Sequence, residues 1–296
     1  MELRQLRYFV GVAEELHFGR AAERLYISTP TLSQQIKQLE REVGTRLLIR
    51  HSRGVELTPA GQVLLARARE TLQAAGLALK DTRRAAGLDE PVLRLGLLNG
   101  IPSQLPAALE QLATERFPNS TVTLEAGTTT DQLRMLAAGE IDLGLVRTPL
   151  TLPTAMTSEH LATEELGVLL SATHPLATSA ELTLDDLTGL ELIWILRAAA
   201  PEFYDDTIRL IGAGVRLSDI SMSHSQLRSA LLVRRSAISL GSRRAATPEV
   251  VWRPLAGRPL VARYAAVWRT DSSNPVLRAM TVSPGLTVVS QQVVVD

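Results

Sequence analysis

The sequence predicts an α+β protein of several domains: a small helical unit closed by a β-hairpin, one long helix, and a two-lobed α/β unit. Its length of 296 residues is about twice that of a typical single domain. Hydrophobic residues make up 45% and charged residues 21%, a composition typical of globular proteins. The hydrophobic period changes near residues 58 and 91, so we predict domains at 1–57, 58–90 and 91–296.

The 31 basic and 31 acidic side chains balance overall but are unevenly distributed. Residues 1–90 carry 14 basic and 11 acidic side chains, a mild excess that suits contact with a polyanion. The absence of cysteine excludes disulfides, thiolate nucleophiles and cysteine-ligated metals, and no cofactor is expected. Glu14 and Glu15 interrupt the position of a signal peptide's apolar core, and no apolar stretch approaches the roughly 18–20 residues of a membrane helix. We therefore expect a cytoplasmic protein without a membrane partner.

Three short amphipathic helices are predicted within residues 1–57. The first carries apolar residues at helical spacing, namely Leu3, Leu6, Phe9, Val10, Ala13 and Leu16. The second spans about 19–25 and the third about 29–43. Ser28 is a suitable N-cap for the third helix, and Pro30 lies in its first turn. Its buried face is predicted to contain Leu32, Ile36, Leu39 and Val43, so Pro30, Gln34, Lys37 and Arg41 point away from the core.

Two β-prone runs follow, at 47–49 and 55–57, separated by a basic segment that contains Arg50 and Arg53. Three short helices and a basic hairpin form the pattern of a winged helix-turn-helix. One helix presents short polar side chains to base edges in the major groove, and the cationic hairpin reaches phosphates or the minor groove. The alternative is that these polar faces are ordinary solvated surface.

A single long helix is predicted from Thr58, as N-cap, and Pro59, at the first helical position, to about Ala86. Such a helix is roughly 40 Å long at 1.5 Å per residue. A narrow apolar seam runs along it, formed by Leu65, Ala68, Leu72, Ala75, Leu79 and Ala86. A seam of this kind predicts pairing with a second copy of the chain. The alternative is packing against its own C-terminal domain.

Residues 91–296 alternate between strands and helices, the pattern of a doubly wound α/β fold. The predicted strands are 92–98, 121–125, 141–146, 167–170, 192–196, 220–222, 237–240 and 261–269. The predicted helices are 103–117, 131–138, 202–212 and 226–233. We assign one lobe to about 91–161 and 268–296 and the other to about 162–267. Two such lobes leave a cleft at strand carboxyl ends, where these folds bind ligands.

Four segments carry a resemblance to a known family. They are 6–9 (Leu-Arg-Tyr-Phe), 18–25 (Phe-Gly-Arg-Ala-Ala-Glu-Arg-Leu), 32–40 (Leu-Ser-Gln-Gln-Ile-Lys-Gln-Leu-Glu) and 57–61 (Leu-Thr-Pro-Ala-Gly). Together they resemble the LysR-type transcriptional regulators. The match is dense over residues 1–65, whereas from 91 to about 270 it is one of architecture.

The resemblance implies a homodimer or homotetramer, joined through the linker helix, that binds promoter DNA, with RNA polymerase as a further partner. It also implies a C-terminal domain of periplasmic-binding-protein type whose cleft binds a small effector. The DNA-binding residues predicted from this match and from the helix and hairpin are Ser28, Thr29, Pro30, Thr31, Ser33, Gln34, Lys37, Arg50 and Arg53. Thr29, Thr31 and Gln34 depart from the family pattern and imply an altered base preference.

Two further departures from the family lie in the C-terminal domain. Residues 233–236 (Val-Arg-Arg-Ser) stand where the family tends to have Ala or Gly before a buried strand. Pro284 and Gly285 interrupt the usual closing helix, and 287–295 is β-prone.

The effector site is predicted from residue types at strand ends. The turn at 99–103 offers backbone N–H groups that attract a carboxylate, and Arg147 offers a guanidinium. The full predicted set is Asn99, Gly100, Ile101, Ser103, Thr128, Thr129, Arg147, Arg197, Pro201 and His224. Helix capping is the alternative role for each Ser and Thr.

Enzymatic motifs are lacking: the sequence has no phosphate-binding Gly-Lys-Ser/Thr loop, no His-Glu-x-x-His and no Gly-x-Ser-x-Gly. The acidic pairs at 185–186 and 205–206 are predicted to be solvated, and the histidines lack metal-ligand spacing. We therefore expect neither catalysis nor a metal site. The rival hypothesis is a solute-binding protein without a regulatory DNA function, against which residues 1–57 argue.

Overall fold

A computed structural model describes residues 1–51, 54–88, 91–212, 214–219, 224–282 and 286. The chain divides into two compact units, Met1–Arg83 and Arg84–Asp296. The long helix therefore belongs to the first unit, and the predicted boundary after residue 57 does not separate compact parts. No helix within the described ranges is long and apolar enough to cross a membrane.

The first unit is a three-helix bundle with a hairpin and the long helix. Its elements are α1 (Leu3–Glu15), α2 (Phe18–Arg24), α3 (Thr29–Val43), β1 (Leu48–His51), β2 (Gly54–Leu57) and α4 (Pro59–Ala85). The bounds of α3 are those predicted, because Ser28 caps its start and Gly44 ends it in the left-handed conformation. The predicted apolar faces of α1 and α3 were wrong at their ends: Leu3 and Val43 are exposed, whereas Val12 is buried.

Helix α4 begins where the Thr58 hydroxyl accepts a hydrogen bond from the Gly61 N–H at 3.0 Å. Gly61 is required there, since a Cβ would lie 2.1 Å from the Leu47 carbonyl oxygen of the hairpin. Ala68 is only 1% exposed in the core of the first unit, and Leu65 and Leu72 pack against that core. The first half of the predicted dimer seam is thus covered by its own unit, because α4 closes the helical bundle.

The second unit contains two mixed five-stranded sheets. Its strands are β3 (Val92–Leu98), β4 (Thr121–Gly127), β5 (Leu143–Thr148), β6 (Met156–Glu165), β7 (Gly167–Ser171), β8 (Glu191–Leu192), β9 (Arg216–Leu217), β10 (Ala237–Gly241), β11 (Val250–Arg253) and β12 (Val261–Arg269). Its helices are α5 (Gln104–Arg116), α6 (Thr129–Ala137), α7 (Pro201–Ile211), α8 (His224–Val233) and α9 (Pro275–Thr281). The first lobe has strand order β4-β3-β5-β12-β6, and the second has β11-β7-β10-β8-β9.

The predicted lobe boundaries were wrong at both crossings. Strand β12 pairs antiparallel with both β5 and β6, so it belongs to the first lobe together with the whole of β6. The chain crosses at Leu166 and returns through 254–260. These connections touch, because the Leu166 N–H donates to the Leu260 carbonyl at 3.0 Å.

Several predicted features differ from the structure or lie outside it. Strands β6, β9 and β11 were not predicted, and the strand expected over 192–196 is replaced by the shorter β8. The predicted strand 220–222, Pro284, Gly285 and the β-prone segment 287–295 lie outside the described residues.

Candidate DNA interface and ligand cavity

The amino end of α3 presents a polar surface to solvent. The Ser28 hydroxyl accepts from the Thr31 N–H at 3.3 Å and lies 2.7 Å from the Thr31 hydroxyl, which fixes the first turn. Thr29, Pro30, Thr31 and Gln34 are exposed, as a surface that contacts base edges must be.

The hairpin is attached to α3 and α2 through Arg50. Its Nη1 donates to the Ser33 hydroxyl at 2.9 Å, and its guanidinium carbon lies 4.2 Å from the centre of the Phe18 ring. Ser33 therefore orients Arg50 in this structure, a role that the sequence did not indicate. Arg53, the predicted wing contact, lies outside the described residues.

A concave surface between α3 and the hairpin is predominantly cationic. Lys37, Arg41, Arg46 and Arg50 line it. The Glu40 carboxylate on this surface is turned inward, where it accepts from the Leu47 and Leu48 N–H groups at 2.9 and 3.2 Å. Sequence analysis did not include Arg46, because it lies in the turn after α3, where helical periodicity gives no direction for the side chain.

A small cavity in the second unit lies where strand carboxyl ends of both lobes meet. Gly100 follows β3 and Arg147 lies in β5, whereas Trp194 follows β8 and Ser239 lies in β10. The cavity has a volume of about 30 Å³, which is room for about two water molecules. Strand carboxyl ends are where open α/β sheets bind ligands.

Arg147 contributes a cation to the wall of this cavity. Its Nη2 donates to the Asn99 carbonyl at 3.0 Å, and its guanidinium carbon lies 5.8 Å from the ring centres of Phe203 and Tyr264. Within the described parts of the chain, no carboxylate lies within 4.0 Å of this guanidinium. The charge is therefore available to an anion.

A second polar cluster behind the cavity is already satisfied internally. Arg244 donates to both Glu164 oxygens at 2.6 and 2.8 Å, and the Tyr264 hydroxyl donates to Glu164 Oε2 at 3.0 Å. Burial raises the pKa of Tyr264 to about 12, so the hydroxyl stays protonated at neutral pH. Because Glu164 and Tyr264 lie in the first lobe and Arg244 in the second, the cluster also joins the lobes.

Of the predicted effector residues, Gly100 and Arg147 line the cavity. The nearby threonines are engaged elsewhere: the Thr128 hydroxyl forms a capping box with Asp131, and the Thr129 hydroxyl accepts from the Arg147 N–H. Arg197 forms two hydrogen bonds, of 2.7 and 2.6 Å, with Asp205 and is not among the residues that line this cavity.

The other predicted effector residues whose side chains are described do not line this cavity. Ser103 directly precedes α5, so the turn opens a helix as predicted, but the Ser103 side chain makes no capping hydrogen bond. Pro201 opens α7, Asn99 is exposed and Ile101 is half-buried. The His224 side chain lies outside the described atoms. The acids at 205–206 lie on a solvated helix face as predicted, because each side chain is 40% exposed while it pairs with Arg197 or Arg209.

Comparison with protein families identifies both units. Residues 3–62 match the model described as "Bacterial regulatory helix-turn-helix protein, lysR family", and residues 86–281 match "LysR substrate binding domain". The chain belongs to the LysR family. This LysR-family regulator is therefore a DNA-binding transcriptional regulator with an effector-binding domain, and the alternative of a solute-binding protein is not favoured.

Relatives match this LysR-family chain over nearly its whole length. The HTH-type transcriptional regulator AlsR of Bacillus subtilis is 31% identical, covering 94% of this chain and 93% of the relative. The Hca operon transcriptional activator HcaR of Escherichia coli is 33% identical, covering 94% and 95%. The crystal structure of full-length CbnR complexed with its target DNA is similar with a TM-score of 0.69 and 26% identity over 99% of both chains.

Proposed function

We propose that this LysR-family protein binds promoter DNA as a homodimer or homotetramer and changes its regulatory state when a small carboxylate occupies the interlobe cavity. It acts in the cytoplasm on the promoter, with RNA polymerase as a further partner, and by binding rather than by catalysis. The carboxylate assignment rests on one observation: the Arg147 guanidinium faces the cavity without a carboxylate partner among the described residues. Arginine binds carboxylates through paired, charge-assisted hydrogen bonds.

The proposed DNA surface combines the exposed start of α3 with the cationic concave surface. Ser28 and Ser33 act by positioning, because their hydroxyls are bonded to Thr31 and Arg50. Gln34 contacts a base edge, whereas Lys37, Arg41 and Arg46 contact phosphates. Arg53 is retained as a minor-groove contact on the basis of the family resemblance.

The proposed assembly uses the second half of α4. Leu79 is 66% exposed, and Ala75 is half-buried four residues before it. An apolar side chain this exposed on a long helix favours a second copy as its partner. Leu65, Ala68 and Leu72 support this indirectly, by fixing α4 to the first unit.

The effector assignment is tested by titrating the full-length protein with butanoate, butanedioate, 2-oxobutanoate and inorganic phosphate, using isothermal calorimetry. We expect at least one carboxylate to bind. Arg147→Ala should weaken that binding by about 1.5–3 kcal/mol, the range for a lost hydrogen bond to a charged group. Arg209→Ala is the matched control, because it removes an exposed arginine that pairs with Asp206 outside the cavity.

Operator binding is measured in parallel on duplexes selected from a random pool by the wild-type protein. Arg147→Ala should retain operator affinity, since it lies in the second unit. Binding of phosphate alone, or carboxylate binding that is indifferent to Arg147→Ala, would contradict the assignment.

A further inference from the structure

An open groove lies at the outer edge of the second lobe. Strand β11 is the edge strand of its sheet, with β7 as its neighbour. The groove is lined by residues 178–180, by residues 251–254 and by Arg243, Ala246 and Thr247. It shares none of the residues that line the interlobe cavity. Its volume of about 570 Å³ falls in the range of small-molecule sites, so the groove admits a ligand without rearrangement.

Arg253 contributes a partly buried guanidinium to this groove. Its Nη1 donates to the Trp252 carbonyl at 2.8 Å, and its Nη2 donates to the Ala177 carbonyl. Its Nε is buried and, within the described residues, has no hydrogen-bond partner. No described carboxylate lies within 4.0 Å of the guanidinium. Because both of its partners are neutral, the charge is partly removed from water without compensation, which is unfavourable until an anion binds.

The backbone of β11 adds an unpaired donor beside this guanidinium. The Val250 N–H donates to the Thr247 hydroxyl at 3.2 Å, and the Val250 carbonyl accepts from the Thr247 N–H at 2.8 Å. Val250 therefore faces the outer side of the strand, away from β7. The direction of hydrogen bonding repeats every second residue in an antiparallel strand, so Trp252 also faces outward. The Trp252 carbonyl accepts from Arg253, whereas the Trp252 N–H has no partner among the described residues.

The open part of this strand edge is short. Thr247 covers the edge at Val250, and at the other end the Leu182 N–H donates to the Pro254 carbonyl at 3.0 Å. Trp252 is thus an open position between two covered ones. An opening of this length admits a single anionic group, whereas a nucleic-acid backbone presents a continuous row of phosphates.

Arg243 gives the groove a second cation. It lies in the 3₁₀ turn Arg243–Ala245 and is exposed, and no described carboxylate lies within 4.0 Å of its guanidinium. The acidic residue nearest to it in the sequence, Glu249, is already bonded to Arg228 and to the Thr247 hydroxyl. The groove therefore carries two guanidinium charges that await an anion.

A phosphate monoester matches these groups better than a carboxylate does. Its charge of about −1.5 to −2 at neutral pH balances two guanidinium groups, and its three terminal oxygens accept from several donors at once. Thr178 and Ser179 line the groove and supply hydroxyls as further donors. A carboxylate has one charge and two oxygens, so it would leave part of the charge and some of the donors unsatisfied.

We propose that this groove binds the phosphate group of a small phosphorylated metabolite through Arg253, the Trp252 N–H and Arg243. The site uses none of the residues of the interlobe cavity, so it is a second ligand site beside the one proposed for the carboxylate. Sequence analysis did not indicate it, because Arg253 meets the segment 177–180 only through the pairing of β11 with β7. The groove is open and lined with hydroxyls, which suits a sugar or polyol phosphate.

The test is a calorimetric titration of the full-length protein with glycerol 3-phosphate and ribose 5-phosphate. Glycerol and ribose are the matched compounds without phosphate, and butanedioate is a dianion with two carboxylates. At least one phosphate ester should bind, and its match without phosphate should not. Arg147→Ala should leave this binding unchanged. In that variant, which lacks the cation of the interlobe cavity, the phosphate ester should bind more tightly than butanedioate.

Substitutions in the groove assign the binding to residues. Arg243→Ala removes an exposed guanidinium that forms no hydrogen bond with the described residues, and it should weaken binding about threefold. Arg253→Gln should weaken binding about tenfold or more, because a charged donor is lost, and Arg253→Lys should retain part of the affinity. Arg235→Ala is the matched control: Arg235 is also an exposed arginine of the second lobe without a described acidic partner, but it lies outside the groove.

Arg253→Gln also removes the hydrogen bonds to Ala177 and Trp252, so its ligand-free Tm should fall, and Arg243→Ala therefore decides the assignment. Failure of both phosphate esters to bind, or equal affinity of Arg243→Ala and Arg235→Ala, would overturn the inference. Binding that is lost in Arg147→Ala would place the phosphate in the interlobe cavity and overturn it as well. Random-sequence DNA that binds through Arg243 when neither ester binds would assign the groove to nucleic acid instead. The carboxylate proposal stands or falls separately, on carboxylate binding through Arg147.

Discussion

Arg50 owes its position to Ser33 and Phe18, so in the proposed DNA interface Ser33 acts by orienting a cation and not by reaching a base. The Ser33 hydroxyl orients the guanidinium by a hydrogen bond, and the Phe18 ring packs against the guanidinium in a cation–π contact. Gln34 and Lys37 have no such anchoring hydrogen bond among the described residues, and both are exposed on the same helix. Because Gln34 carries a neutral amide and Lys37 a positive charge, their removal should weaken DNA binding in different ways.

Gln34→Ala should relax preference at one or two base pairs, at a cost of about 1–3 kcal/mol for the preferred base. Lys37→Ala should instead weaken binding to all sequences alike and reduce the salt dependence by about one phosphate contact. Both are measured by binding to a library of single-base operator variants at several salt concentrations. Equal behaviour of the two variants would mean that α3 does not separate base reading from phosphate contact in this way.

Glu164 is a buried residue whose loss should be costly. It is 2% exposed and accepts from both Arg244 and Tyr264. Glu164→Gln should lower the free energy of unfolding by about 1.5–3 kcal/mol, because a charge-assisted hydrogen bond is lost next to a partly buried arginine. Glu249→Gln is the control, since its pairing with Arg228 is half-exposed and such pairs contribute about 1 kcal/mol or less. Urea unfolding that gives equal losses for both variants would contradict the role assigned to burial.

Helix α6 illustrates how an element's end is stabilised. Hydrogen bonds from the Thr128 backbone and hydroxyl hold the pKa of Asp131 below its usual value of 3.8. A carboxyl whose pKa is lower in the folded state stabilises the fold above its unfolded pKa, and this stabilisation is lost as pH falls through the folded pKa.

Asp131→Asn should therefore reduce stability by about 0.5–1 kcal/mol at pH 7, the lower range for cap substitutions. The difference from the wild type should shrink as pH falls below about 3.8, where the wild-type carboxyl becomes protonated. Urea unfolding at pH 7, 5 and 3 measures this. A difference that does not change with pH would exclude the carboxylate as its source.

Helix α4 has one half packed in its own unit and one half that is exposed. Leu79→Asp should therefore shift sedimentation toward smaller species while leaving the Tm of the first unit unchanged, because the charge enters only the proposed contact between copies. Leu72→Asp should lower that Tm as well, since Leu72 packs against the core of the first unit. Leu79→Met is the conservative control. An assembly unaffected by Leu79→Asp would place the contact between copies elsewhere.

Elements set by local chemistry were predicted well, and elements set by distant pairing were not. Helix α3 has its predicted bounds because its cap, proline and closing glycine are all local signals. Strand β6 alternates polar residues with few large apolar ones, and its strand conformation comes from pairing with β12, about 100 residues later. Arg147 was predicted from its place at a strand end, whereas Trp194 and Ser239 are brought to the same cavity only by the pairing of β8 and β10.

The whole molecule consists of two compact units, each with its own core, so each ligand should stabilise its own unit. We expect calorimetric unfolding in two transitions. The operator should raise the Tm of the first unit. A carboxylate effector at one hundred times its Kd should raise the Tm of the second unit, by stabilising it by about 2.7 kcal/mol. Arg147→Ala should abolish the Tm increase caused by the effector and retain the Tm increase caused by the operator. A single transition raised by either ligand would show that the units unfold together.

The crossing of the two connections at Leu166 and Leu260 has a mechanical consequence. Leu166 also lines the cavity, so an effector in the proposed site lies beside the two connections that join the lobes. Near a pivot a given rotation displaces atoms little, whereas at the outer edges of the sheets the same rotation displaces them in proportion to their distance. If the proposed effector rotates the lobes about these connections, small adjustments around a few ligand atoms become larger movements of the domain's outer surface.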